Sequence, residues 1–276
     1  MTVKYMELIN EVKMPAIGIG TYKTGSDEET AHAVKFAIEA GYRHIDAAAF
    51  YGNEIGVGKG VKESGVKRED IFLVTKLWND DHGYDKTMEA FNKSLERLQV
   101  EYLDLYLIHW PTKLNSETWR AFEELYESGK VRAIGVCNFK EGHLEELKES
   151  AKIMPMVNQM EVHPFNTRKK LREYCKVNNI QMVAWSPISR GRVLTNELLI
   201  KLSEKYSKTI TQVVLKWHIQ NGVVPIPKSS NEGRIKENFE VFDFEIAKED
   251  MELIASLNED KSVTAGPDNT TFWDFK

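Results

Sequence analysis

The most constraining feature of the sequence is a regular alternation of short apolar runs with longer amphipathic stretches. Eight of the short runs have the length and composition of β-strands, and several are apolar at successive rather than alternate positions. Such runs are typical of strands that are buried on both faces of a parallel sheet. The predicted strands are residues 16–20, 44–47, 71–75, 103–109, 132–136, 156–159, 182–186 and 223–226.

The stretches between these strands carry apolar residues at helical spacing. Residues 28–40 run into Gly41 and residues 117–128 run into Gly129, and glycine commonly ends a helix. Strand and helix alternating along one chain predict an α/β fold, a (β/α)8 TIM barrel, for which about 250 residues is typical. A doubly wound open sheet is the alternative. The other predicted helices are residues 87–98, 140–150, 168–178, 211–220 and 232–239.

Two terminal segments complete the predicted fold. Residues 5–8 and 12–14 flank Asn10-Glu11 and predict a short hairpin ahead of the first barrel strand. The polar stretch that follows residues 247–257 is expected to run as a C-terminal tail over the active-site face. Because no Pro/Gly/Ser-rich linker interrupts the chain, we expect a single domain spanning residues 1–276.

Composition limits the classes of partner. The net charge of −5 gives no sign of a nucleic-acid binder, and no apolar stretch has the length of a membrane span or a signal segment. The two cysteines lie far apart in sequence, which is simplest to explain in a reducing cytoplasm. We therefore expect a cytoplasmic protein, monomeric, with no nucleic-acid or membrane partner.

Four polar side chains fall at the ends of three neighbouring predicted strands. Asp46 ends the second strand and Tyr51 follows it, whereas Lys76 follows the third strand and His109 ends the fourth. Each of them alone has an ordinary structural explanation, as a turn residue, a packed aromatic, a solvated cation or a core histidine. Since active sites of such barrels lie at the C-terminal ends of the strands, the four together indicate a reaction site.

The chemistry that suits these four groups is carbonyl reduction. A hydride delivered to a carbonyl carbon leaves an alkoxide, which Tyr51 can protonate, although a tyrosine pKa near ~10 makes it a slow acid at neutral pH. A cation at Lys76 stabilises the phenolate, and Asp46 keeps that lysine charged and in place. His109, as a neutral imidazole, can donate a hydrogen bond to the carbonyl oxygen.

The same residues, in this order, resemble the catalytic tetrad of the aldo-keto reductase family, in which the tyrosine is the proton donor. Further motifs extend the resemblance along nearly the whole chain, at residues 20–22, 135–139, 157–159, 185–188 and 226–238. The chain is most similar to prokaryotic-type members, the glyoxal and 2,5-diketogluconate reductases. The resemblance implies NADPH-dependent reduction of an aldehyde or ketone to an alcohol.

The resemblance also implies which residues hold the cofactor. They contact the nicotinamide carboxamide, the nicotinamide ring, the ribose, the pyrophosphate and the adenosine phosphate. Assigned to these contacts are Gly20, Thr21, Tyr22, Asp46, Cys137, Asn138, Gln159, Trp185, Ser186, Ile188, Arg190, Lys228, Ser229, Arg234, Glu237 and Asn238. The pocket for a small carbonyl substrate is assigned to Tyr22, Trp78, His109 and Trp110, with Phe50, Phe272 and Trp273 as further lining.

Five positions depart from the family pattern. Cys137 replaces a serine, so one carboxamide hydrogen bond is expected to be weaker, and Trp185 replaces a tyrosine that stacks on the nicotinamide. Tyr22 replaces a common tryptophan and leaves more room beside the ring. Arg190 and Arg192 stand where pyrophosphate contacts are expected and are candidates to clamp it.

Other signals favour structure over chemistry. The glycine-rich residues 56–60 are predicted to be a small-residue helix face and not a dinucleotide loop, because they do not join a strand to a helix start. Tyr126 and Lys130 have the spacing of a short-chain dehydrogenase motif but run into a glycine. We expect no metal site, since Glu161 and His163 show no ligand pair at helical spacing.

Two other functions are compatible with a barrel of this kind. One is an NADPH-binding module that acts on partner proteins, as the potassium-channel β subunits of the family do, and the other is a metal-dependent hydrolase. Turnover of NADPH with a reactive aldehyde distinguishes the enzyme from the module. The residues leave the substrate open among glyoxals, keto sugars and prostaglandin-like ketones.

Overall fold

The computed structural model describes residues 4–263 and confirms the barrel. Within that range, eight parallel strands form one sheet in which each strand pairs with the next along the chain. The sheet closes where Gly18 N donates to Pro225 O at 3.0 Å and Gly20 N donates to Pro227 O at 3.1 Å. The strands are β1 (Tyr5–Glu7) and β2 (Lys13–Pro15) of the antiparallel hairpin, then β3 (Ile19–Gly20), β4 (His44–Asp46), β5 (Phe72–Leu77), β6 (Leu105–Ile108), β7 (Ile134–Cys137), β8 (Val157–Glu161), β9 (Gln181–Trp185) and β10 (Val224–Pro225).

The helices cover the outside of the barrel, and each predicted helix is present within a few residues of its expected ends. They are α1 (Asp27–Glu39), α2 (Glu54–Glu63), α3 (Tyr84–Leu98), α4 (Asn115–Glu127), α5 (Glu141–Lys148), α6 (Lys169–Val177), α7 (Glu197–Tyr206), α8 (Ile210–Gln220), α9 (Glu232–Phe239) and α10 (Lys248–Ala255). The sequence prediction missed α7, because it assigned a single helix to the segment between β9 and β10.

The glycine-rich stretch 56–60 lies within α2 and packs against neighbouring helices. A Cβ atom on Gly58 would lie 2.1 Å from the carbonyl oxygen of Leu98 at the end of α3. A Cβ atom on Gly60 would lie 2.6 Å from the carbonyl oxygen of Ala31 in α1. The glycines therefore allow close helix packing, as the sequence indicated.

Two apolar clusters hold these layers together. The larger one joins the barrel strands to helices α1 to α6 and α9, and contains buried aromatics such as Trp119 and Phe122. The smaller one lies around α7, α8 and α10, where Trp217 is 1% exposed. Because both faces of each strand are covered, the open mouth at the strand ends is where polar side chains can reach a ligand.

The start of the C-terminal tail lies against the active-site face of the barrel. Glu259 N donates to Phe165 O at 3.0 Å, and Val263 N donates to Oε1 of Glu161, the last residue of β8, at 2.7 Å. Phe272 and Trp273, which we assigned to the substrate pocket, lie outside the described residues. Among residues 4–263 no helix combines the length and the apolarity needed to cross a membrane.

Candidate active site

The four polar residues predicted at the strand ends lie together. Asp46 is the last residue of β4, Lys76 lies one residue before the end of β5, and His109 follows β6 directly. Tyr51 ends a short 3-10 turn, Ala49–Tyr51, that follows β4. Because β4, β5 and β6 are adjacent in the sheet, all four side chains meet at one mouth of the barrel.

Asp46 and Lys76 form a buried ion pair at the centre of this group. Lys76 Nζ donates to Asp46 Oδ1 at 2.5 Å and to Ala47 O at 2.7 Å, and both charged side chains are 1% exposed. Burial alone would lower the pKa of Lys76, but the charge and hydrogen bond of Asp46, together with smaller contributions from Tyr51 and Cys137, more than offset it, so the net shift is upward. Lys76 is therefore a fixed cation at every physiological pH.

Tyr51 lies beside that cation. Its ring centre is 5.1 Å from Lys76 Nζ, and its side chain is only partly buried. Burial raises the pKa of Tyr51 to about 12, and the positive charge of Lys76 opposes that rise. Gly52 has a φ of 66°, a left-handed conformation that glycine adopts without strain and that ends the turn carrying Tyr51.

His109 completes the group as an uncharged imidazole. Its ring lies 5.8 Å from the Tyr51 ring at an interplanar angle of 77°. Burial, and secondarily the charge of Lys76, hold the pKa of His109 well below 6.5. Its Nδ1 atom is buried and has no hydrogen-bond partner among the described residues. A neutral ring with one unsatisfied nitrogen suits a group that binds a small polar ligand.

Two residues that the sequence analysis missed hold the Tyr51 turn in place. Asn53 Nδ2 donates to Thr21 O at 2.8 Å, which ties the turn to the end of β3. Glu54, 1% exposed, accepts hydrogen bonds from Thr75 Oγ1 and Arg97 Nε, each at 2.6 Å. The only sequence signal was a polar pair at the start of α2, which is ordinary for a helix start.

The residues assigned to the carboxamide and the nicotinamide ring lie at the ends of β7 and β9 and in the middle of β8. Asn138 Nδ2 donates to His109 O at 3.0 Å, and Asn138 Oδ1 accepts from Trp185 Nε1, also at 3.0 Å. Gln159 Nε2 donates to Asp46 Oδ2 at 2.7 Å. Burial raises the pKa of the Cys137 thiol, so the group keeps its proton and is uncharged, and the weaker carboxamide hydrogen bond expected of it stays a prediction.

The residues assigned to the adenosine phosphate lie directly after β10, at the start of α9. Lys228 and Arg234 form no ion pair with any described residue, and burial together with the charge of Arg234 lowers the pKa of Lys228. Asn231 caps the helix by accepting from Arg234 N at 3.0 Å. Two neighbouring unpaired cations at a helix N-terminus favour a bound phosphate.

The remaining assigned residues differ in the exposure of their side chains and in the contacts that these side chains make. Arg190 is exposed with a φ of 51°, and it follows Ser189, an unassigned residue whose Oγ is buried without a partner among the described residues. Arg192 pairs with Glu259 at 2.6 Å, and the pyrophosphate contact expected of Arg190 and Arg192 stays a prediction. Glu237 accepts from Thr209 Oγ1 at 3.0 Å. The other assigned positions are Gly20 and Thr21 at the end of β3, Ser186 and Ile188 in the segment after β9, Ser229 between β10 and α9, and Asn238 in α9.

Aromatic rings line the mouth above the tetrad. The Tyr22 ring lies 5.0 Å from the Tyr51 ring, and the Trp78 ring lies 5.2 Å from His109. Phe50 stacks on Trp78 at 3.9 Å and is 51% exposed. Trp110 stands on the other side of His109, with ring centres 6.4 Å apart. A wall of this kind suits an apolar or compact ligand with one polar group.

Known proteins share this architecture over nearly the whole chain. A model of the aldo/keto reductase family matches residues 16–259. The glyoxal reductase of Bacillus subtilis (strain 168) is 54% identical over 97% of this chain and 97% of that protein. The 9,11-endoperoxide prostaglandin H2 reductase of Trypanosoma cruzi (strain CL Brener) is 53% identical over 95% of this chain and 94% of that protein.

A solved structure agrees with the fold. The Bombyx mori aldo-keto reductase, solved in complex with NADP, superimposes with a TM-score of 0.90 at 36% sequence identity. That similarity covers 96% of this chain and 95% of the other. With the family model, the full-length relatives and the shared barrel in agreement, this chain belongs to the aldo/keto reductase family of oxidoreductases.

Proposed function

We propose that this protein reduces small aldehydes and ketones to alcohols with NADPH, and that Tyr51 supplies the proton. The observation that carries the proposal is the buried Asp46–Lys76 pair beside the partly exposed Tyr51. A buried ion pair is costly to desolvate and contributes little to stability on average. Its position next to a phenol is explained by a reaction in which that phenol must lose and regain a proton.

The residues around the site fit the cofactor. Bound NADPH supplies the hydride. Asn138 and Gln159 would hold its carboxamide, and Trp185 at the end of β9 would offer a flat surface for the ring. Lys228 and Arg234 supply the charge that distinguishes a 2′-phosphate from a hydroxyl.

The protein side of the proton transfer follows from the geometry. The Tyr51 hydroxyl gives its proton to the alkoxide oxygen, and the phenolate left behind is stabilised by Lys76. Because Tyr51 is only partly buried, it can regain a proton from solvent. His109, held neutral, donates a hydrogen bond that orients the substrate carbonyl oxygen toward Tyr51.

For the substrate we propose a compact carbonyl compound of the glyoxal type. The connection between β6 and α4 is only residues 109–114, so no long loop encloses a large pocket. The similarity to the B. subtilis glyoxal reductase supports the same class. A panel of glyoxals, keto sugars and bulky cyclic ketones assayed with NADPH tests this proposal, and the highest kcat/KM on the bulky ketones would contradict it.

We also propose that the protein works as a monomer in the cytoplasm and that residues 1–276 fold as one unit. Away from the mouth of the candidate site, the exposed large apolar side chains within residues 4–263 are dispersed, as with Tyr5 and Ile9 on the hairpin, Val177 on α6 and Leu253 on α10. Small dispersed patches favour a monomer. Light scattering at assay concentration tests it, and a dimer mass would contradict it.

Cofactor preference gives a first prediction. Arg234→Ala weakens NADPH binding by about tenfold or more, because a charge-assisted hydrogen bond is worth roughly 1.5–3 kcal/mol, and leaves NADH binding almost unchanged. Fluorescence titration with both cofactors measures it. The matched control is Arg120→Ala on the outer helix α4, which should bind both cofactors as the wild type does. Equal wild-type affinities for NADPH and NADH would contradict the assignment.

The depressed pKa of His109 gives a second prediction. Since this pKa lies well below 6.5, the ring stays neutral across the pH range in which an ordinary histidine takes up a proton, and kcat/KM should show no decline from its protonation. His109→Ala should lower kcat/KM and change the stereochemical preference on prochiral ketones. A decline in the wild-type profile near pH 6.5 that disappears in His109→Ala would show a protonated histidine in the reaction.

A further inference from the structure

Gln159 makes a contact that its assignment to the carboxamide does not require. Its Nε2 donates to Asp46 Oδ2 at 2.7 Å, across the barrel interior and 113 residues away in sequence. Gln159 is 2% exposed and Asp46 is 1% exposed. We propose that Gln159 is a positioning residue, which couples the carboxamide site to the proton donor Tyr51 through Asp46 and Lys76. The proposal rests on the proposed function.

The contact fixes which way the Gln159 amide faces. A carboxylate only accepts hydrogen bonds, so the amide nitrogen must point to Asp46 and the amide oxygen must point away. Within the part of the chain that the structure describes, no residue donates to Gln159 Oε1. Gln159 therefore presents an acceptor, which suits an amide N–H of a ligand.

The backbone holds Gln159 in this position on both sides. Gln159 lies opposite Cys137 of β7 and Val183 of β9 in the sheet register. Its carbonyl oxygen accepts from Asn138 N at 2.9 Å. A side chain on the central residue of an internal strand has little freedom to leave Asp46, which suits a residue that transmits small electrostatic changes.

Asp46 divides its two oxygens between the two partners. Oδ1 accepts from Lys76 and Oδ2 accepts from Gln159, so the carboxylate charge is shared between a cation and an amide dipole. Without Gln159, Oδ2 would be buried with no donor, and the potential near Tyr51 would become more negative. A more negative potential destabilises the phenolate, and the pKa of Tyr51 must rise.

Ligand binding at Oε1 should strengthen this contact. Hydrogen bonds in a chain polarise one another, so a donor at Oε1 makes the Gln159 N–H a better donor to Asp46. The negative potential at Tyr51 then weakens when the carboxamide site is filled. The proton donor would thus be tuned by the occupied site, whereas a group that only binds cofactor would leave Tyr51 unchanged.

The first arm of the test needs no turnover. In protein labelled with 15N at glutamine side chains, the Gln159 amide is identified as the signal lost in Gln159→Leu. We expect slow hydrogen exchange for this signal in the cofactor-free wild type and at least about tenfold faster exchange in Asp46→Asn, where the acceptor has lost its charge. Circular dichroism verifies that both variants are folded. Equal exchange in wild type and Asp46→Asn would overturn the proposal.

The second arm follows the pH dependence of alcohol oxidation, in which the phenolate of Tyr51 is the base. Gln159→Leu should raise the apparent pKa of alcohol oxidation by at least about half a unit. A hydrogen bond to a charged group is worth roughly one to two pKa units, and only part of the change at Asp46 reaches Tyr51. The control is Arg234→Ala, which weakens cofactor binding far from Asp46 and should leave the apparent pKa unmoved.

A cofactor analogue separates the two roles of Gln159. The 3-acetylpyridine analogue of NADP lacks the amide N–H, so it should bind the wild-type protein more weakly than NADP does. Its shift of the apparent pKa of alcohol oxidation in the wild type should be smaller than the shift that Gln159→Leu causes with NADP. If Gln159→Leu lowers the affinity for NADP but leaves the apparent pKa of alcohol oxidation unchanged, the proposal is overturned and Gln159 is only a cofactor contact. The proposed function fails separately, if Tyr51→Phe keeps its activity.

Discussion

Replacing Tyr51 with phenylalanine should lower turnover by about 10²-fold or more while NADPH affinity stays close to that of the wild type. The reason is that a positioned proton donor contributes at least that factor, and phenylalanine keeps the ring that contacts Tyr22 and His109. The measurement is kcat for a small aldehyde together with a fluorescence titration of NADPH.

The matched control for this substitution is Tyr5→Phe. Tyr5 lies on β1 of the hairpin, half-exposed and at the other end of the barrel from the strand C-termini, so the same chemical change there should leave turnover unaltered. Turnover near the wild-type value in Tyr51→Phe would exclude this tyrosine as the acid, and with it the proton path proposed above.

Replacing Lys76 with methionine should abolish most activity and raise the apparent pKa of alcohol oxidation. Lys76 lowers the pKa of Tyr51 against the larger effect of burial, so its removal lets that pKa rise further. The pH range in which the protein oxidises alcohols then moves to higher pH. The pH profile of residual alcohol oxidation measures the shift, whose upward direction is the specific expectation.

The Lys76→Met variant needs a second variant as its control, because it leaves Asp46 as an unpaired buried charge. Breaking a buried pair costs about 3–5 kcal/mol of stability, and the protein could lose activity by unfolding. The double variant Lys76→Met with Asp46→Asn removes both charges and should recover stability but not activity. If the double variant is folded and as active as the wild type, the pair has no part in the reaction.

The barrel itself follows from the sequence because strand and helix periods are local signals. The ends of the strands are less well predicted, and β3 and β10 show why. We expected residues 16–20 and 223–226, yet the regular ladder contains only Ile19–Gly20 and Val224–Pro225. Proline has no N–H to donate, so the closing ladder around Pro225 and Pro227 is held by one-sided hydrogen bonds from glycines.

The candidate site likewise contains residues that the sequence predicts and contacts that it does not predict. Asp46, Lys76 and His109 could be found because a charged or polar residue at the end of an apolar strand is a conspicuous local feature. The contacts of Gln159 with Asp46 and of Glu54 with Arg97 join residues 113 and 43 positions apart and leave no local pattern. Such pairs depend on the closure of the barrel, which only the folded chain reveals.

The central claim is that the site turns over NADPH, and one measurement tests it most directly. Purified protein is mixed with NADPH and a small dicarbonyl compound, in the presence of a metal chelator, and NADP⁺ and the alcohol are both quantified. The account predicts equimolar NADP⁺ and alcohol over many turnovers, at a rate that the chelator does not change. Tight NADPH binding without its oxidation across the carbonyl panel would contradict the account and favour a partner-binding barrel.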